Sequence, residues 1–143
     1  IHCHHDDIVF FPNPTTAINA LLRSLSFTSK DQVLTTNHEY GAIEKTWKFL
    51  SNKFGFDYIK IPINIPFNDE QSFIDSFENS LTPKTKVIFL SHITSPTGLI
   101  FPVSEIFSWY FFGTPSRSLK DTINFFAKGS KNLLAFPITK LFS

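Results

Sequence analysis

Short apolar runs alternate with amphipathic segments from Ile8 to Ile106, and few folds accept that rhythm. Ile8–Phe11 is a continuous β-prone run, Val33–Thr36 a short buried strand, and Val87–Leu90 an uninterrupted apolar run of the kind covered on both faces of a parallel sheet. Tyr58–Ile65 instead places Ile59, Ile61, Ile63 and Ile65 in period two, with Pro62 and Pro66 pushing its end toward a sheet edge or a loop. Between these runs, Ile18, Leu21, Leu22 and Leu25 share one helical face, as do Ile43, Trp47, Leu50 and Phe54, and then Ile74, Phe77 and Leu81. Pro12-Asn13-Pro14 breaks the first run, Thr15 and Thr16 can cap the helix that follows, Gly55 stops the second helix, and Thr82-Pro83 ends the third. Helices are therefore expected to begin near Thr15, Tyr40 and Asp69. Strand–helix alternation implies right-handed crossovers and an α/β fold, a three-layer, mainly parallel sheet whose ligands bind beyond the carboxyl ends of the strands. The polar loops at residues 12–16, 36–39 and 91–98 would lie at that edge.

The pattern changes after Ile106. Residues 107–143 hold Arg117, Lys120, Lys128, Lys131 and Lys140 against Asp121 alone, and seven of the 18 Phe fall there without periodicity. The chain thus divides into residues 1–106, which carry the α/β pattern, and residues 107–143, read as a divergent or irregular tail. Absence of methionine, even at position 1, reads as a fragment of a longer chain. Thirteen basic against twelve acidic side chains leave no global field for nucleic acid or an anionic membrane. No apolar run reaches the roughly 18 residues of a membrane helix. The single cysteine, Cys3, cannot form an internal disulfide, and a cytoplasmic location is expected.

Three loops carry residue types suited to chemistry. Thr15 and Thr16 stand at a helix start, where unpaired N–H groups and the positive dipole end hold a phosphate; an ordinary helix cap also accounts for them. His38, in NHEYG, can stack on a ring, move a proton or bind a metal; a loop histidine bonded to the backbone also accounts for it. In SHITSPTG, Ser91 and His92 point to opposite faces of an extended chain and make a poor nucleophile–base couple, whereas Ser95 can turn toward a ligand. His2, Cys3, His4, His5, Asp6 and Asp7 are metal-ligand types without the separated spacing that wraps an ion, so no metal site is expected. Thr15, His38 and Ser95 are expected to converge on one pocket.

Taken in order, PNPTTAINALLRSL, VLTTNHEYGAIEKTWKF and LSHITSPTGLIFPVSEI resemble the class V aminotransferase family of pyridoxal-phosphate enzymes, nearest its isopenicillin N epimerase-like and cysteine desulfurase-like branch. The resemblance implies that residues 1–106 are part of a fold-type-I large domain binding pyridoxal 5'-phosphate (PLP). It assigns Thr15 and Thr16 to the cofactor phosphate, His38 to the ring as stacking and catalytic residue, and Ser95 to the neighbourhood of the phenolic oxygen. Two departures accompany it: Pro14 lacks a backbone N–H at the phosphate turn, and Ser95 is shorter than the Asn found in desulfurases. It further implies an amino-acid substrate and a homodimer, with epimerisation, carbon–sulfur lysis or transamination as the chemistry. The family's motifs for the pyridine-binding Asp and the cofactor-bonding Lys are absent, and Lys128 and Lys131 match neither, so the chain is expected to be inactive alone. The competing expectation is a non-catalytic remnant or interaction module that keeps the α/β framework.

Overall fold

The periodicities resolve into seven elements in the computed structural model, which describes residues 9–103, 105–106 and the backbone of 123–127. In chain order these are α1 (Pro14–Ser24), β1 (Gln32–Thr36), α2 (Gly41–Phe54), β2 (Asp57–Ile61), α3 (Glu70–Ser80), β3 (Thr85–Ser91) and β4 (Ile123–Ala127). The strands form one sheet in the order β2-β1-β3-β4, and every pairing is parallel. The connection from β1 to β2 runs outward, and that from β2 to β3 returns past β1. Right-handed crossovers in opposite directions place their helices on opposite faces.

The side chains follow that geometry. Val33, Val87 and Phe89 face a core built with α1, α2, Phe27 and Phe56, while Leu34, Ile88 and Leu90 face a second core with Phe73, Phe77 and Phe101. The three-layer arrangement expected from the sequence is thus present. Trp47 is fully buried at the centre of the first core, with edge contacts to Phe27, Phe56 and Phe89 at centroid separations of 6.0, 6.2 and 5.9 Å. Burying each such large apolar side chain contributes about 1.5–3 kcal/mol. α2 ends as its glycine requires: Gly55 adopts φ 77°, and its N–H reaches the Ser51 carbonyl at 2.7 Å.

Four details depart from the sequence expectation. Val9–Phe11 is not a strand: among the described residues it pairs with no strand of the sheet, Phe10 is 92% exposed, and Pro12 and Pro14 remove two N–H donors. The second concerns α1, which is capped by Asn13 and not by Thr15 or Thr16, because Pro14 occupies the first helical position. β2 stops at Ile61, before Pro62; being the outermost strand, it buries Ile61 and, just beyond its end, Ile63, and leaves Ile59 exposed. Finally, Ile123–Ala127, inside the stretch read as irregular, is a strand parallel to β3. Its sequence INFFA is β-prone but lacks the flanking amphipathic segment that revealed the other strands. The rest of 107–143, and the His2–Asp7 cluster, lie outside the described residues.

Candidate functional site

Adjacent central strands whose connections leave in opposite directions open a crevice at their carboxyl ends, and here these strands are β1 and β3. The loops that follow them, 37–40 and 92–98, meet. His38 donates its backbone N–H to Thr36 Oγ1 at 3.2 Å, and its half-buried ring meets Thr97 Oγ1 through Nδ1, also at 3.2 Å. Thr97 Oγ1 lies 2.8 Å from Thr94 Oγ1, which accepts the Leu99 N–H at 2.9 Å. A reversal closed by Thr94 N–H to the Leu99 carbonyl, Gly98 N–H to the Thr94 carbonyl and a bridge between Ile93 and Ile100 holds these hydroxyls in place. Gly98 takes φ 66°, a conformation that few other residues accept there.

Glu39 lies beneath this loop pair, buried. One carboxylate oxygen accepts from Thr36 Oγ1 and from the Ser91 N–H, each at 3.1 Å, and the other accepts from the Ser91 hydroxyl. Burial raises its pKa above the ordinary carboxylate value, while the bonds from Ser91 and Thr36 pull it back in part. Glu39 therefore ties the end of β1 to the end of β3. With its hydroxyl donated to Glu39, Ser91 does not pair with His92, as the extended geometry predicts.

At the start of α1, Asn13 Oδ1 accepts the Thr16 N–H at 2.9 Å and the Thr16 hydroxyl at 3.1 Å, and the Asn13 carbonyl accepts the Ala17 N–H. Among the described residues, the N–H and hydroxyl of Thr15 keep no internal partner, so they are the donors left for an anion. The Thr15 carbonyl accepts from Asn19 Nδ2 at 2.9 Å, and Asn19 Oδ1 accepts from Thr46 Oγ1 at 3.0 Å, which anchors α1 on α2.

The structure thus brings His38 to the 91–98 loop through Thr97. Ser95 is exposed in that loop, Thr15 is half-buried and Thr16 exposed, and no hydrogen bond joins any of the three to His38 among the described residues. Sequence reasoning missed Asn13, Glu39, Thr94 and Thr97. Only Asn13 carried a readable signal, since an Asn directly before a Pro is a common helix start. Among the described residues no cluster of three metal-ligating side chains occurs, and no helix is long and apolar enough to cross a membrane.

Comparison with known proteins decides the family, because residues 1–110 match the description Aminotransferase class-V. The chain belongs to the class V aminotransferases. Class V aminotransferases are PLP-dependent enzymes of amino-acid chemistry. The isopenicillin N epimerase of Streptomyces clavuligerus is 26% identical over 94 residues, covering 66% of this chain and 24% of that protein. A probable cysteine desulfurase of Mycolicibacterium paratuberculosis is 30% identical over 104 residues, covering 71% of this chain and 15% of that protein. Among solved structures, a variant of C-DES with glycine covalently linked to its PLP cofactor matches with a TM-score of 0.61 at 29% identity, covering 67% of this chain and 25% of that one. The chain therefore spans about a quarter or less of the length of these class V relatives.

Proposed function

We propose that this chain is the phosphate- and ring-binding part of a PLP-dependent enzyme acting on an amino acid, by epimerisation, carbon–sulfur lysis or transamination. The observation that carries the reading is the half-buried ring of His38, held at the carboxyl end of β1 by the loop that follows β3. In a member of this family, such a ring is suited to lie against the cofactor. The residues present fit that group in part. Thr15 would hold the phosphate through its free N–H and hydroxyl. Thr16 would border it, its hydroxyl proton already given to Asn13. His38 would stack on the ring and move a proton at Nε2, and Ser95 would offer its hydroxyl to the phenolic oxygen. When bound, PLP supplies an electron sink for the amino acid. The amino-acid substrate, a homodimer that completes the site and a cytoplasmic location belong to the same proposal, supported by family membership alone.

A second reading, a non-catalytic module that retains the framework, draws on two observations. The five residues of β4 include no carboxylate. Lys30 and Lys84 flank the amino ends of β1 and β3, and Lys86 is the second residue of β3, all at the opposite edge of the sheet from His38. Titrating the purified chain with PLP and following absorbance, then reducing with borohydride and mapping lysines, separates the readings. The expected result is saturable binding, weakened by His38→Ala, with no lysine labelled stoichiometrically. Absence of saturable binding up to about 1 mM, equivalent to less than about 4 kcal/mol, refutes the cofactor reading.

A further inference from the structure

The hydroxyls of Thr94 and Thr97 form a relay that ends on the His38 ring, and the burial of one of them decides its direction. Thr94 is 2% exposed, and its hydroxyl has two hydrogen-bond neighbours: the Leu99 N–H at 2.9 Å and Thr97 Oγ1 at 2.8 Å. The amide can only donate, so it occupies a lone pair of Thr94. The proton of the Thr94 hydroxyl then has one acceptor, Thr97 Oγ1, and a buried hydroxyl proton left unbonded is disfavoured. Having accepted from Thr94, Thr97 can pass its own proton to His38 Nδ1 at 3.2 Å. Donors aligned head to tail polarise one another, which favours this direction over one in which Nδ1 donates back to Thr97.

We propose that Thr94 and Thr97 are positioning residues that fix neutral His38 as the tautomer protonated on Nε2. An imidazole whose Nδ1 accepts must keep its proton on Nε2, so the ring presents an N–H donor there and has no lone pair at Nε2 to take up a proton. The relay starts from a backbone amide within the Thr94–Leu99 reversal, whose own hydrogen bonds and Gly98 conformation fix the spacing of the two hydroxyls. This assignment rests on the reading of His38 as the ring-facing residue for its functional meaning, and on geometry alone for the tautomer.

Ring nitrogen NMR on the full chain, 15N-labelled at histidine and held near pH 8.5 so that an ordinary imidazole is neutral, tests it. Comparison with His38→Gln assigns the His38 signals. The expected spectrum has Nδ1 in the unprotonated range and Nε2 in the protonated range. Thr97→Val should move both signals toward the average of two tautomers and leave the other histidines in place, whereas Thr97→Ser, which keeps the hydroxyl, should restore them. Thr94→Val should act in the same direction and Thr94→Ser should not. A proton on Nδ1 in the unaltered chain, or signals unmoved by both valine variants, overturns the relay. The same samples titrated with PLP keep the two readings apart: a fixed Nε2–H tautomer without PLP binding sinks the cofactor reading and leaves the relay standing. PLP binding with a proton on Nδ1 does the reverse.

Discussion

Removing the Glu39 side chain should be the most damaging single truncation at the edge where β1 and β3 end. Glu39→Ala leaves three buried donors without their acceptor: the Ser91 N–H, the Ser91 hydroxyl and the Thr36 hydroxyl. Each unmet buried donor costs about 1–3 kcal/mol. Water entering the void recovers part of that, and release from burying a carboxylate offsets more, leaving a net loss of about 2–5 kcal/mol. With a urea slope of about 2 kcal/mol/M, mid-range for a small protein, the unfolding midpoint, followed by the fluorescence of buried Trp47, should fall by about 1–2.5 M. Glu39→Gln keeps the shape and one carbonyl acceptor while abolishing the charge. Because burial raises the pKa of Glu39, the folded state favours the protonated acid. Its stabilising contribution is complete below the ordinary carboxylate value of 4.5 and declines as pH rises through the raised value. Wild-type protein should therefore lose stability relative to Glu39→Gln as pH increases. An alanine variant within about 1 kcal/mol of wild type, or a wild-type minus glutamine difference that grows with pH, refutes the reasoning.

Other positions give independent checks. Thr15→Val should weaken PLP binding about tenfold, the worth of one good hydroxyl bond to a charged group, while Thr16→Val changes it less than about twofold; equal losses would refute the distinction between the two hydroxyls. Gly55→Ala should cost about 1 kcal/mol in thermal unfolding from its left-handed backbone alone, since the nearest atom to an added Cβ, that of Ser29, is 3.5 Å away. Lys60 and then Lys48 hold the Glu44 carboxyl down to about 2, so its contribution is present above pH 4.5 and lost as pH falls toward 2. Solvent screening limits that contribution to a few tenths of a kcal/mol, visible as a flatter acid limb in melting curves of Glu44→Gln.

What was legible in the sequence is what periodicity encodes. Ile43, Trp47 and Leu50 marked the buried face of α2, Gly55 marked its end, and the continuous run Val87–Leu90 marked a strand covered on both faces, because burial on a helix or in a central strand repeats at fixed spacing. Phe73 joined the buried face of α3 beside Ile74 and Phe77, one residue wider than the spacing argument drew it. The α1 cap is written in the chain as Asn13-Pro14, beside two threonines whose hydroxyls are also suited to a cap by residue type. By contrast, nothing local distinguishes Glu39 from Glu44: one is buried by strands brought together across 52 residues, the other sits on an open helix face. Thr97 is likewise joined to His38 across 59 residues. The site is legible as loops at one sheet edge, and its hydrogen-bonded partners are set by tertiary contact. Val9–Phe11 shows the reverse case, a β-prone run that forms no strand and runs directly into Pro12 and Pro14, which cannot donate to a ladder.

The sheet order has a consequence for the chain as it is made. β1 lies inside the sheet, paired on one side with β2 and on the other with β3, yet it is synthesised first of the three. β2 follows it closely and can pair across the short α2 crossover. The other edge of β1 has to wait: 55 residues separate Thr36 from Ser91. At about 5–20 residues per second, that interval is roughly 3–11 seconds, during which a run of buried residues, Gln32 to Thr36, has one open ladder on the ribosome. Anything that lengthens the interval, such as slow decoding between α3 and β3, prolongs the exposure of the strand that the finished molecule hides most completely.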